Sequence, residues 1–203
     1  MAEDRALILV WLIGSNMRLV AVFCIVLMLA GCAKSSVTAP LTMRSAVPIS
    51  VVPSSARGPA QIFTATYQDP KGGSHIAKAA LSVMTSNVQP GSKSGWSTNE
   101  CLIRFDLTQN AIWLAPNMGG TWGYHPVVAG SSSTLSNSQC TVMASGSSAR
   151  TLGNIAIVSF KVKFAPEFAG EKQLFLQCAD ISGKWSANYQ QPFGSFTVAT
   201  PPL

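Results

Sequence analysis

From residue 61 onward, apolar and polar residues alternate with a period of two, broken by short runs of turn residues. That is the pattern of half-buried β-strands. Gln61 to Tyr67 sets Phe63, Ala65 and Tyr67 on one face and Ile62, Thr64 and Thr66 on the other. Asp69-Pro70-Lys71-Gly72 follows, with residue types that favour a turn. Ala79 to Thr85 sends Leu81 and Val83 to one side. Cys101 to Leu107 points Cys101, Ile103, Phe105 and Leu107 inward and Leu102, Arg104 and Asp106 outward. Thr108-Gln109-Asn110 then predicts a hairpin into Ala111 to Ala115.

Gly119, Gly120 and Gly123 mark a loop around Trp122, and Gly130 to Ser138 is Ser-rich and loop-like. Cys140 to Ala144 is a short strand. The clearest strand is Ile155 to Phe164, with Ala156, Val158, Phe160, Val162 and Phe164 on one face. Gln173 to Ala179 aligns Leu174, Leu176 and Cys178, and Phe193 to Val198 closes the series. Nothing after Cys32 sustains a period of 3.6. The expected fold is all-β, a single sandwich of about 7–9 antiparallel strands.

The N-terminus follows a different rule. Met17-Arg18, an apolar run from Leu19 to Ala30 and Gly31-Cys32 have the order of a secretory signal. Leu29-Ala30-Gly31-Cys32 resembles a bacterial lipobox, which makes Cys32 the expected site of lipidation and the new N-terminus. The segment before Met17 fits poorly, because Glu3 and Asp4 outnumber Arg5. An uncleaved anchor or a start at Met17 would both account for it, and the second is favoured. Either way the remainder is expected outside the cytoplasm. Ala33, with no Asp in that position, points to the outer membrane of the cell envelope. The expected division is a signal peptide over 1–32, a flexible tether over 33–47 rich in Ser, Thr, Pro and Ala, and a domain over 48–203. Roughly 150 residues are enough to bury about 68–70% of the unfolded surface in one core.

Fourteen Lys and Arg stand against eight Asp and Glu, a net charge of +6. The cations are scattered singly, without a run or stripe. A solvated surface is therefore expected and no nucleic-acid partner.

Val52-Pro53-Ser54-Ser55, Phe63 to Pro70, Cys101 before an alternating strand, Asn137 to Val142, Phe168-Ala169-Gly170 and Ala179 to Gly183 together carry a likeness. The chain resembles the immunoglobulin-like and fibronectin-type-III-like modules of secreted bacterial surface proteins over nearly all of residues 48–199. The resemblance implies the sandwich and no shared catalytic residues. Apart from Cys24 and Cys32, three cysteines remain, and an oxidising compartment leaves one of them over. The resemblance pairs Cys101 with Cys140, leaving Cys178 as a buried small hydrophobe.

Candidate chemistry is sparse. His75 and His125 lie at no metal-ligand spacing from another His, Cys or acid in the sequence. The nucleophile elbow Gly-x-Ser-x-Gly is missing, and Glu167 and Glu171 sit in a turn. The expectation is no catalysis, no cofactor and no metal centre. Asp69 and Asp180 have two readings: a calcium site at one pole, or carboxylates serving their own turns. Loop aromatics are the best binding candidates, namely Trp96, Trp122, Tyr124 and Trp185, the last with Tyr189 nearby. Trp113 is expected to be structural. The expected function is a non-catalytic, lipid-anchored surface module for adhesion or protein interaction. The alternative is a carbohydrate-binding lipoprotein using the loop aromatics.

Overall fold

The computed structural model describes residues 45–85, 100–117, 125–186 and 191–200. These belong to one compact unit spanning Thr42–Leu203. The predicted signal and lipobox, with Cys32, and the loop residues Trp96, Trp122, Tyr124 and Tyr189 lie outside the described residues.

Strands dominate. The first sheet contains β1 (Val47–Val52), β3 (Ala60–Gln68), β8 (Thr134–Ser136), β9 (Cys140–Met143), β10 (Ser148–Leu152) and β11 (Ile155–Phe164). The second contains β2 (Ser55–Gly58), β4 (Ile76–Met84), β5 (Glu100–Asp106), β6 (Ala111–Leu114), β7 (Val127–Val128), β12 (Gly170–Asp180) and β13 (Gly194–Val198). The first runs β1-β3-β11-β9-β8 with β10 also on β11, and the second runs β2-β13-β12-β4-β5-β6-β7. The chain crosses from one sheet to the other over Pro53 and Ser54, with a cis Val52–Pro53 bond. Among the described residues the only helical elements are three short 3-10 turns, at Gly73–His75, Ala144–Gly146 and Pro166–Phe168. None of these residues forms a helix long and apolar enough to cross a membrane.

The all-β sandwich therefore stands, with differences in detail. Among the described residues there are thirteen strands rather than 7–9, because β2, β7, β8 and β10 have five residues or fewer and lean on longer neighbours for their pairing. β2 runs parallel to β13, so the pairing is not wholly antiparallel. The Ser-rich stretch from Gly130 to Ser138 holds β8, whose backbone pairs with β9 although its side chains carry no apolar period. Ala46 is already 1% exposed and Val47 lies in β1, so the packed region starts before the expected boundary at 48.

The period-two faces account for the core. Phe63, Ala65 and Tyr67 on β3 and Ala156, Val158, Phe160 and Val162 on β11 are all fully buried. They meet Leu81 and Val83 on β4, Ile103 and Phe105 on β5, and Leu174 and Leu176 on β12. Apolar area is removed from water on both inner faces at once, which is the main favourable term in such a fold. Phe196 sits 5.3 Å from both Phe63 and Phe164, and Phe164 stacks 6.0 Å from Phe168, filling one end with aromatic rings. The Tyr67 hydroxyl crosses the core and donates to the Ala80 carbonyl at 3.0 Å. A buried hydroxyl left without a partner would be costly, so this bond fixes how the two sheets face each other.

The outward face of the second sheet departs from simple alternation. Leu102 is 3% exposed beside Ala80 and Ala115, in a small cluster of its own. Asp106, expected in solvent, is buried and accepts from Thr108 N–H at 3.0 Å, Thr108 Oγ1 at 2.6 Å and Gln109 N–H at 3.1 Å. That carboxylate builds the β5–β6 turn. Leu107, expected to face inward, lies in the turn itself and is only partly buried. Trp113 is half-buried on the outward face, with the Arg104 guanidinium 4.9 Å from its ring centre.

Cys101 on β5 and Cys140 on β9 form a disulfide between the sheets, with Cα atoms 5.8 Å apart and a sequence separation of 39. Closing a loop of that size stabilises the fold by about 4 kcal/mol on the chain-entropy account. The double variant Cys101→Ala/Cys140→Ala is expected to lose about 2–5 kcal/mol of unfolding free energy. Urea unfolding followed by far-UV circular dichroism measures this, and an unchanged midpoint would refute the bridge as a clamp.

Candidate functional site

Strand direction divides the loops between two ends of the sandwich. At one end the β3–β4 turn, the β10–β11 hairpin and the turn after β12 converge. Backbone bonds join them: Asp69 N–H to Asn154 O at 2.9 Å, Gly73 N–H to Gly153 O at 2.9 Å, and Ile181 N–H to His75 O at 3.0 Å. Gly73 is required here, because a Cβ would stand 2.0 Å from the Ile155 carbonyl oxygen.

This convergence brings Asp69, His75 and Asp180 together. One ligand atom from each lies within 4.8 Å of the others. Sequence spacing places neither histidine as a metal ligand; the fold brings His75 to Asp69, six positions away in the same turn, and to Asp180. Neighbourhood along the chain cannot report the approach of Asp180, whose turn lies more than a hundred positions from that of Asp69 and His75. His125 is exposed and is not part of this group.

Two carboxylates and an imidazole would suit a transition metal better than calcium, which prefers six to eight oxygens. The hydrogen bonds show what the groups already do. The Asp69 carboxylate accepts the Lys71 N–H at 2.8 Å and the His75 Nδ1–H at 3.0 Å. With Asp69 only 1% exposed, these bonds offset its desolvation. Asp180 Oδ1 accepts the Ser182 N–H at 2.9 Å, the Ser182 hydroxyl at 2.5 Å and the Lys184 N–H at 3.1 Å. The Ser182 hydroxyl, opposed in part by burial, and then the Lys184 and Ser182 amides and His75 hold the Asp180 carboxyl below its ordinary range. Of the two readings of Asp69 and Asp180, the turn-building one accounts for every bond these carboxylates make.

Cys178 lies just inside this end, fully buried and free. Burial pushes its thiol up to about 12; Asp69 and Asp180 add to the rise, and the Ser186 hydroxyl opposes it. A thiol in that state is not a nucleophile at neutral pH. Trp185 bridges to Ala179 and is 38% exposed, available as a surface ring beside the Asp180 turn.

The opposite end was not singled out from the sequence. There Asn117 Oδ1 accepts the Ser138 N–H at 2.7 Å and the Ser138 hydroxyl at 2.8 Å. Asn137 Nδ2 donates to Ala115 O at 3.0 Å, and the Ser82 hydroxyl donates to Glu100. Thr85, Ser138, Gln139, Glu167, Phe168, Ala169 and Lys172 line a cavity of about 480 Å³. A signal for it was available: Lys172 precedes Leu174, Leu176 and Cys178 in the same inward register, a cation on an apolar face.

Because Asp180 has a lowered folded pKa, its contribution is present above the unfolded value near 3.9 and disappears as pH falls through the folded one. Asp180→Asn should melt several degrees below wild type at pH 7, with the gap closing below about pH 4. Millimolar calcium or zinc, added after chelation, should move neither curve. A rise seen only in wild type would make the cluster a metal site, since an ion at 100 times its Kd adds about 2.7 kcal/mol.

Comparison with known proteins leaves the fold and these two ends to speak for themselves. No family model matches this chain, no curated protein matches it, and no solved structure matches it.

Proposed function

We propose that the chain is a lipid-anchored, non-catalytic β-sandwich of the bacterial cell envelope that serves adhesion or protein interaction. The observation that carries this reading is the Cys101–Cys140 bridge. Such bonds form and persist outside the reducing cytosol, where the Met17–Cys32 signal would deliver the domain. Lipid on Cys32 would hold it at the membrane, facing its partners, without a spanning helix. The immunoglobulin-like resemblance belongs to the same reading, as the architecture of many surface-presented modules.

The absence of catalysis is part of the proposal, supported by what the reactive groups are doing. His75 is tied to Asp69 and the Cys178 thiol is held protonated in the core. A glycan ligand is the second reading. Trp185 is the exposed ring that favours it, while Trp96, Trp122 and Tyr124 enter only through their sequence.

Metabolic labelling with a palmitate analogue tests the anchor. Wild type should take up label and partition with membranes until detergent releases it. Cys32→Ala should lose the label and stay unprocessed. An unlabelled chain recovered from the cytosol with Cys101 and Cys140 reduced would overturn the proposal.

A further inference from the structure

Lys172 occupies an unusual place. It lies on β12 in register with Phe196, two positions before Leu174, and is 6% exposed. Lysine is almost never buried without a partner. Its ammonium donates to the Ala169 carbonyl at 3.0 Å and stands 4.5 Å from the centre of the Phe168 ring. Among the described residues no carboxylate comes within ion-pair distance of it. Part of its hydrogen-bonding capacity remains unused in a buried setting, and burial alone pulls its pKa down. An anionic acceptor would favour the charged form.

Gln139, on the same cavity wall, is the second unsatisfied group. It is 7% exposed; its Nε2 donates to the Ser138 hydroxyl at 2.7 Å, and its Oε1 has no partner. That oxygen is sealed from solvent, so a ligand in the cavity does not reach it, and the residue serves as wall. A buried cation with no carboxylate at ion-pair distance among the described residues thus lines a space of about 480 Å³, within the size range of small-molecule sites. Thr85 and Ser138 add hydroxyls. Glu167, exposed in the same lining, repels anions and so favours a singly charged carboxylate over a doubly charged phosphate.

We infer that this cavity binds a small hydroxylated carboxylate, of the hexuronic acid class, with its carboxylate on Lys172 and its hydroxyls on Thr85 and Ser138. The inference rests on reading the domain as a binding module and is independent of the lipid anchor. The same chemistry is offered by a free sugar acid and by a unit of an acidic polysaccharide.

Calorimetric titration of the full chain in detergent, with galacturonate, trigalacturonate and galactose as probes, tests it. Galacturonate should bind saturably, and galactose about tenfold more weakly or less, since the charge-assisted bonds are lost. A trimer tighter than the monomer identifies a polymer as the source; equal affinities identify the free acid. Lys172→Met keeps the stem over Phe168 and should weaken galacturonate about tenfold while melting close to wild type. Should that variant not fold, Thr85→Val, which removes a lining hydroxyl at nearly constant volume, is measured instead and should also bind more weakly. No saturable binding of any probe, equal binding of galactose and galacturonate, or undiminished binding by the folded variant would overturn the inference. If these sugars fail while a pull-down still recovers a specific partner, the binding-module reading survives and only this ligand class is lost.

Discussion

The fold depends on the closure of two apolar sheet faces over one another. Neither sheet could stand alone: Phe63, Tyr67 and Phe160 on one, and Leu81, Ile103, Phe105 and Leu176 on the other, would expose large apolar side chains to water. Burial is non-directional and does not by itself choose a register. Two directional links do. The Tyr67 hydroxyl reaches the backbone of the facing sheet, and the Cys101–Cys140 bridge ties β5 to β9. Tyr67 stays neutral because burial, aided by Cys178, raises its pKa well above the ordinary value. The bond to Ala80 is therefore insensitive to pH.

The ends of the sandwich follow from that closure. Once the strands are aligned, their turns must gather at two poles, and each pole faces the problem of buried polar groups. At one, Asp69, His75, Asp180 and neighbouring amides satisfy each other and lock three turns together. At the other, much of the polar lining is paired, but Lys172 borders a cavity with no carboxylate at ion-pair distance among the described residues. Saturated bonding makes the first pole a structural knot. Unsaturated bonding makes the second the place to look for a ligand.

How much of this could be read from the chain depended on length and locality. β11 spans the ten residues read as Ile155 to Phe164, because five inward apolar residues in strict alternation leave little freedom. β3, β4, β5 and β12 were legible for the same reason. β2, β8 and β10 were not, since three to five residues with mostly polar side chains show no period and acquire strand geometry only by pairing. Leu102 points outward as its place in the alternation requires, yet it is buried, which alternation within one strand cannot disclose. The joining of Asp180 to the Asp69–His75 turn and the meeting of Lys172 with Ser138 and Gln139 around one cavity are products of folding, assembled from segments far apart in sequence. Asp69 and Asp180 left a trace as turn acids, and Lys172 as a cation in an apolar register; the grouping with His75 did not. Trp96, Trp122 and Tyr124, the aromatics read most readily as binding residues, fall outside the described residues, so the structure bears on the ligand question chiefly through other side chains.

Amide hydrogen exchange followed by mass spectrometry tests the two-sheet closure most directly. The account predicts that peptides from β3 and β11 in one sheet and β4 and β12 in the other exchange slowest and open together. An Ile155–Phe164 peptide exchanging as fast as the Ile181–Lys184 turn, or protection confined to one sheet, would contradict it.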